Sequence, residues 1–312
     1  MQTVVVGGLG FLGGALVDEL LGRGDAVAVL DPAASQARCD ARFGARFGAG
    51  RVRALRGDIL DPATLRAGFR GADEVYHMAG RLGTSELDDD IPAAIAANVT
   101  GAVHVFDAAI AAGVPSVFYP SKPNVWLNTY TITKVAAEQF AELYTRRGDL
   151  RVCSLRYFNA YGPHQALAPV RKIVPTFAVQ ALRRLPLGVY GDGAQTVDMI
   201  LAADLARITV DLLRSGHRGP PLDCGRGVAL TVNAVAEAVN AHLGNAAGVR
   251  HLPMRRGEIP HTHLVADVDA LQRVLGPVRF ADWDASLADT LAWYAALEPS
   301  IIDGAVRRLE AA

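Results

Sequence analysis

The chain has 312 residues, 51% of them hydrophobic, which is enough for one large core or two closely packed ones. Its net charge of −1 leaves no overall field to draw in nucleic acid or an anionic membrane. Three cysteines (Cys39, Cys153, Cys224) without metal-ligand spacing and eight scattered histidines predict neither a disulfide framework nor a metal site, and they suit a reducing cytoplasm.

Thr3–Val6 reads as a strand, Gly10–Gly22 as a helix and Ala26–Leu30 as a second strand. Val52–Arg56 follows as a strand, Pro62–Phe69 as a short helix capped by Asp61, and Glu74–Met78 as a strand. Ala93–Ala112 is predicted helical, Ser116–Tyr119 a strand, Thr129 to about Arg147 a helix, and Arg151–Arg156 a strand. Runs such as VVV and VAVL are apolar throughout, as strands covered on both faces should be. Strands alternating with crossover helices imply α/β architecture with a doubly wound parallel sheet. After about Gly162 the rhythm changes. Pro163, Pro169, Pro175 and Pro186 punctuate it, with helices expected at Val174–Arg184, Ala203–Leu213 and Val232–Leu243. The expected organisation is a nucleotide-binding domain over 1–168, joined again by 196–226, with a smaller interleaved C-terminal substrate-binding lobe over 169–195 and 227–312.

Neither apolar stretch is expected to span or cross a membrane. In Val4–Leu21 no basic residue precedes the run, its glycines break a helix, and Asp18 and Glu19 follow. Ile91–Phe106 contains Pro92, Asn98, Thr100 and His104 and is rich in alanine, so it reads as too short and too weakly apolar.

The glycines of VVVGGLGFLGG leave the first strand and open a helix, where backbone N–H groups can face a pyrophosphate. They fit G-x-G-x-x-G (Gly8, Gly10, Gly13) and equally G-x-x-G-x-x-G (Gly7, Gly10, Gly13). Asp31 ends the second strand, where a carboxylate accepts hydrogen bonds from both ribose hydroxyls of NAD and repels a 2′-phosphate. Asp58-Ile59 follows the third strand; Asp58 reads equally as an adenine contact or as a plain loop residue. Tyr130 and Lys134, four apart, share one face of a helix. A tyrosine's ordinary pKa of about 10 is too high for a base at neutral pH. An adjacent ammonium and a cationic nicotinamide ring are expected to lower it. Lys134 is also one of only three lysines (with Lys122 and Lys172) among 31 basic residues.

Taken in order, these residues resemble the extended short-chain dehydrogenase/reductases, the NAD-dependent epimerase/dehydratase group acting on nucleotide sugars. The resemblance selects Gly7, Gly10 and Gly13, with Phe11 and Leu12 between, as the pyrophosphate turn. It implies adenosine contacts at Asp31, Asp58 and Ile59, and a pyrophosphate flank at His77-Met78-Ala79-Gly80. Asn98-Val-Thr-Gly101, Tyr130/Lys134 with Glu138, and Arg156-Tyr157-Phe-Asn159-Ala-Tyr-Gly-Pro163 are similar to further family segments. Tyr157 falls among the implied cofactor contacts and Asn159 among the sugar-nucleotide contacts. Tyr190 lies on the strand implied to carry the base. Arg255, in Arg255-Arg256-Gly257-Glu258, is implied to bind the diphosphate. The family's two-fold pairing of helices equivalent to Ala93–Ala112 and Thr129–Arg147 implies a homodimer.

The sequence departs from the family pattern in two places. The usual catalytic Ser or Thr is replaced within Ser121-Lys122-Pro123-Asn124-Val125-Trp126, so either Ser121 fills the role in a shortened loop or Lys122 supplies a different donor. Pro123-Asn124 also stands where 4,6-dehydratases carry an Asp-Glu pair, which disfavours that reaction. Val197 occupies a position where the family often has a diphosphate-binding Arg; Arg171, Lys172 or Arg183 are the candidates to compensate. The resemblance implies an NAD-dependent epimerase, most simply at C4 of a nucleotide sugar, UDP-linked by preference. A 4-ketosugar reductase, a C3 or C5 epimerase, and a non-catalytic NAD-binding protein are the alternatives.

Overall fold

Short β-branched runs become strands where helices can cover both of their faces. β1 (Gln2–Val6), β2 (Ala26–Asp31), β3 (Val52–Arg56), β4 (Glu74–His77), β5 (Ser116–Ser121) and β6 (Arg151–Tyr157) follow the predicted order closely. The computed structural model describes residues 1–123, 125–168, 170–255 and 257–310; Asn124, Pro169 and Arg256, all used in the sequence reading, lie outside the described residues. β7 (Asn159–Tyr161), β8 (Leu187–Tyr190), β9 (Thr196–Val197) and β10 (Met199–Leu201) are short. β11 (Leu222–Cys224) then returns to the edge of the main sheet beside β6.

The main sheet has seven parallel strands in the order β11-β6-β5-β4-β1-β2-β3. The chain leaves β1 toward β2 and comes back past it through β4. The helices therefore divide between the two faces. Phe11–Gly22 and Ala202–Arg214 bury Leu16, Val17, Leu205 and Ile208 against one face. Pro62–Gly68, Ile91–Ala112 and Thr129–Arg147 bury Leu65, Ala102, Val105, Phe106, Ala137 and Ala141 against the other. The reversal between β1 and β4 opens a crevice at the carboxyl ends of these strands, the usual ligand position in such sheets.

One expectation fails here. Helix Ile91–Ala112 runs for 22 residues with a mean hydropathy of 1.4 in its most apolar window, long and apolar enough by that measure to cross a bilayer. Pro92 lies in its first turn, where it breaks no helical hydrogen bond, so the helix is longer than the apolar run read from the sequence. It packs on the sheet through Ala102, Val105 and Phe106, with Ala94 buried near its start, and is a core helix. Four further helices were not foreseen: a continuous stretch over 36–47, then Asp269–Leu275, Trp283–Ala295 and Pro299–Glu310.

The smaller C-terminal region is built around helices Ile173–Leu182, Val232–Leu243 and Trp283–Ala295, whose Val174, Phe177, Val235, Val239, Leu287 and Leu291 form a separate core. β12 (Leu230–Thr231) pairs with β9, and β13 (Val249–Leu252) with β8. A hydrogen bond between the Tyr161 and Ser286 hydroxyls (2.6 Å) ties this region to the strand that follows β6.

Candidate active site

A cavity of about 870 Å³ lies between the carboxyl ends of the main sheet and the smaller region. That is near the top of the roughly 300–1,000 Å³ range of small-molecule sites. Its cofactor end is made of backbone. Gly7 has φ +80°, and a side chain there would stand 2.7 Å from the Ala79 nitrogen. The Gly10 N–H donates to the Gly7 carbonyl (3.1 Å), and a Cβ on Gly13 would come within 2.1 Å of that same oxygen. Gly7, Gly10 and Gly13 are thus locked to one another. Gly8 is closed off by Val29, where a Cβ would meet its methyl at 2.7 Å, so its smallness serves packing on β2. Helix Phe11–Gly22 begins at Gly10 with no side-chain cap, leaving its first N–H groups and positive dipole end facing the cavity.

These features fit a dinucleotide. Asp31 ends β2 on the cavity wall, its Oδ1 accepting from the Ala33 N–H (2.9 Å), and it forms no ion pair among the described residues. Asp58 accepts from the Leu60 N–H (2.9 Å), and Ile59 fills the space over Gly101. Phe11, Leu12, Met78, Ala79 and Gly80 also border the cavity. Asn98 occupies a wider π-type turn, Ala96–Thr100, and its amide is fully engaged. It accepts from the Arg81 N–H (2.7 Å) and donates to the Arg81 carbonyl (3.0 Å) and Thr133 Oγ1 (3.1 Å). Asn98 therefore holds the chain after β4 in place. The Tyr157 hydroxyl is likewise committed: it meets Thr209 Oγ1 inside the core, so Tyr157 faces the cavity without its polar tip.

At the middle of the cavity, helix Thr129–Arg147 begins at Asn128, whose side chain accepts from the Thr131 N–H (2.8 Å). This cap sets Tyr130 in the first turn and Lys134 one turn on. Lys134 is buried, with its ammonium 4.0 Å from the centroid of the Tyr119 ring. Burial pushes the Lys134 ammonium down to about 7; Glu138 opposes this and Lys122 adds to it. Burial pushes the Tyr130 phenol up to about 12. The expected lowering does not occur in the protein alone, where loss of water around the phenolate governs. Glu138 is held by Arg156, with contacts of 2.7 and 3.1 Å. His77 is fully buried and pushed down to about 3 by that burial, so it is neutral.

The loop from β5 to this helix places Ser121 and Lys122 very differently. Ser121 borders the cavity, but its hydroxyl is shielded from solvent and has no partner among the described residues. Lys122 points its ammonium at the start of the helix, donating to the Pro123 carbonyl (2.7 Å) and to Thr131 Oγ1 (2.8 Å). It lies 5.6 Å from the Trp126 ring and 5.9 Å from the Tyr130 ring. Trp126 in turn donates to Thr262 Oγ1 (3.3 Å), tying this loop to the far wall.

That far wall carries Asn159, Tyr190 and Arg255. The Arg255 guanidinium stands 5.5 Å from the Tyr190 ring and pairs with Glu258 (3.3 Å) and Glu86 (3.5 Å). Arg171 donates to the Tyr190 hydroxyl, and Lys172 also borders the cavity. Arg183 is elsewhere: it pairs with Asp303 at 2.5 Å, so it offers the cavity nothing. Val197 is buried in the core of the smaller region, and Asp198 accepts backbone N–H bonds from Arg226, Gly227 and Ala266 (2.8, 2.8 and 3.2 Å). Gln195, Thr196 and Val197 of that segment also border the cavity, without a basic side chain among them. Tyr119, Thr131, Thr133 and Glu86, which contact Lys134, Lys122, Asn98 and Arg255, are supporting residues that sequence reasoning missed; each becomes visible only when the helix and loops pack.

A doubly wound sheet with a glycine turn facing the cavity defines a dinucleotide-binding fold, here with a tyrosine and a lysine one helical turn apart beside it. Residues 3–225 match the model of the NAD dependent epimerase/dehydratase family, and the chain belongs to that family, with NAD as its cofactor. It is 29% identical over 281 residues to UDP-glucuronic acid decarboxylase 1 of Arabidopsis thaliana, covering 84% of this chain and 62% of the relative. The chain thus spans less than two thirds of that relative's length. It is 27% identical over 295 residues to UDP-glucose 4-epimerase of Mycolicibacterium smegmatis, covering 88% and 93%. Among solved structures, MoeE5 in complex with UDP-glucuronic acid and NAD superposes with a TM-score of 0.82 at 27% identity, covering 94% of this chain and 99% of that one.

Proposed function

We propose that the protein is an NAD-dependent nucleotide-sugar 4-epimerase. The observation that carries this reading is the Tyr130–Lys134 pair in a cavity whose only acidic linings among the described residues are Asp31, Asp58 and Glu258. None of these three belongs to the loop or helix carrying Tyr130, and Glu258 is engaged by Arg255. Dehydration needs a further acid–base pair at the sugar, which that loop does not supply among its described residues. Relatives named as UDP-sugar enzymes support a UDP-linked substrate.

When bound, NAD supplies a reversible hydride acceptor and a fixed positive charge. Tyr130 Oη accepts the proton of the sugar C4 hydroxyl and later returns it. Lys134, already titrating near neutrality, favours the phenolate in its charged form and holds a ribose hydroxyl in its neutral form. The Glu138–Arg156 pair keeps the helix seated on β6. Arg255, with Arg171 and Lys172 beside it, receives the diphosphate, while Asn159 and Tyr190 position the nucleotide. Enclosure by the 121–128 loop and the segment containing Thr262 keeps water from the 4-ketosugar before it is reduced on its other face.

Incubation with UDP-, dTDP-, GDP- and CDP-sugars in deuterated water, read by NMR, tests the reading. Inversion at C4 without solvent deuterium is the expected result. Deuterium at C3 or C5, or loss of carbon dioxide, overturns it.

The exposed Ile91, Ile95 and Ile110 on one helix and Ile132, Phe140 and Leu143 on the next form an apolar strip that we assign to a homodimer. A monomeric mass in solution overturns that assignment. The three free cysteines, all buried as thiols, accord with a cytoplasmic setting.

A further inference from the structure

Several basic groups in and around the sugar end of the cavity have a carboxylate to answer them. Arg156 has Glu138, Arg255 has Glu86 and Glu258, and Lys134 feels Glu138. Lys122, like Arg171, pairs with none among the described residues, and of the two Lys122 is the one beside Tyr130. Its two hydrogen-bond acceptors, the Pro123 carbonyl and Thr131 Oγ1, are neutral, and an ammonium has three protons to donate. Among the described residues no carboxylate stands within 4.0 Å of it, and the nearest rings are Trp126 and Tyr130. Burial is the one influence on its proton affinity, pushing it down to about 8. A half-buried ammonium held against two aromatic rings, with a donor to spare, is costly unless a bound anion answers it.

Position identifies the anion. Lys122 Nζ lies 5.9 Å from the centroid of the Tyr130 ring, so ammonium and phenol reach the same part of one sugar ring. With the C4 hydroxyl at Tyr130, the neighbouring substituents are the C3 hydroxyl and the group on C5, and of these the C5 group is the one that can be a carboxylate. The diphosphate is attached at the opposite end of the sugar and falls to Arg255 on the far wall.

We propose that Lys122 binds a carboxylate carried on C5 of the sugar, so that the substrate is a nucleotide-linked uronic acid. This rests on the nucleotide-sugar reading above and adds the substrate class to it. A neutral hydroxymethyl group in the same place accepts a hydrogen bond but leaves the charge unanswered.

The test uses NAD-loaded protein in a Tyr130→Phe background, where binding is read without turnover. UDP-glucuronate and UDP-glucose are titrated calorimetrically, with and without Lys122→Met or Lys122→Arg. The uronate should bind roughly 10- to 100-fold more tightly than the hexose, the range expected for one charge-assisted hydrogen bond. Lys122→Met should abolish that preference by weakening the uronate alone, and Lys122→Arg should retain most of it. The preference should also fade as pH rises above about 8, where the ammonium is lost. Equal affinities in the parent protein, or a preference that survives Lys122→Met, overturn the proposal. Tight UDP-glucose binding without uronate preference overturns it while leaving the epimerase reading intact. Failure of both to bind, together with UDP-, dTDP-, GDP- and CDP-hexoses, overturns both.

Discussion

At the cofactor end of the cavity, recognition is made of backbone: Gly7, Gly10 and Gly13 press against one another and an uncapped helix faces inward. At the sugar end it is made of side chains on loops, with Lys122, Trp126, Arg255 and Glu258 reaching in from separate segments. A backbone cradle tolerates no change of shape, because any Cβ meets fixed atoms. A side-chain wall tolerates much, because each group can be exchanged while the loops still close. The contrast teaches where variation can act: on the function proposed above, the first region secures the cofactor and the second chooses the sugar.

Four measurements bear on that contrast. Tyr130→Phe should lower kcat by about 10²–10⁴-fold, the usual worth of a positioned acid–base group, with melting temperature and NAD content little changed. Full turnover in this variant removes the sugar end's claim to the chemistry. Gly13→Ala should cost about 1–3 kcal/mol of stability by overpacking and strip NAD from the purified protein, since its Cβ would lie 2.1 Å from the Gly7 oxygen. Thermal unfolding and cofactor release on denaturation measure both effects. Asp31→Asn should cost about tenfold in affinity for NAD and relax discrimination against NADP, checked by fluorescence titration.

The smallest effect concerns pH. Lys134 ionises near 7 in the fold and near its ordinary 10.5 once unfolded. Between these values the unfolded chain binds more protons, so stability rises with pH. Wild-type protein without cofactor should therefore gain stability relative to Lys134→Met between pH 7 and about 10, followed by denaturant titration. A flat difference across that window means that the helix seats Lys134 in water.

Much of the fold was legible because its signals are local. Strands buried on both faces are apolar throughout, and Val232–Leu243 fell where periodicity placed it. Asp282, whose side chain accepts from the Ala285 N–H, is a readable cap for Trp283–Ala295, yet that helix was missed. Its apolar side is completed only by neighbours from Ile173–Leu182 and Val232–Leu243, which sequence spacing does not join. The site divides in the same way. Tyr130 and Lys134 were visible as a four-residue spacing, whereas Tyr119 under the Lys134 ammonium carried no signal in an apolar strand.

By itself the sequence determined the parallel sheet, the glycine turn and the Tyr–Lys pair, since each depends on residues near one another in the chain. The spacing marks the turn without a distant partner, although it fits Gly8 as well as Gly7, and the packing of Gly7 against Ala79 and of Gly8 against Val29 is what separates them. Only tertiary structure decided that the Ser121 hydroxyl is enclosed while the Lys122 ammonium reaches Thr131, and that Arg183 turns away to Asp303. Exposure and charge pairing are properties of what packs against a residue, and those neighbours come from remote parts of the chain.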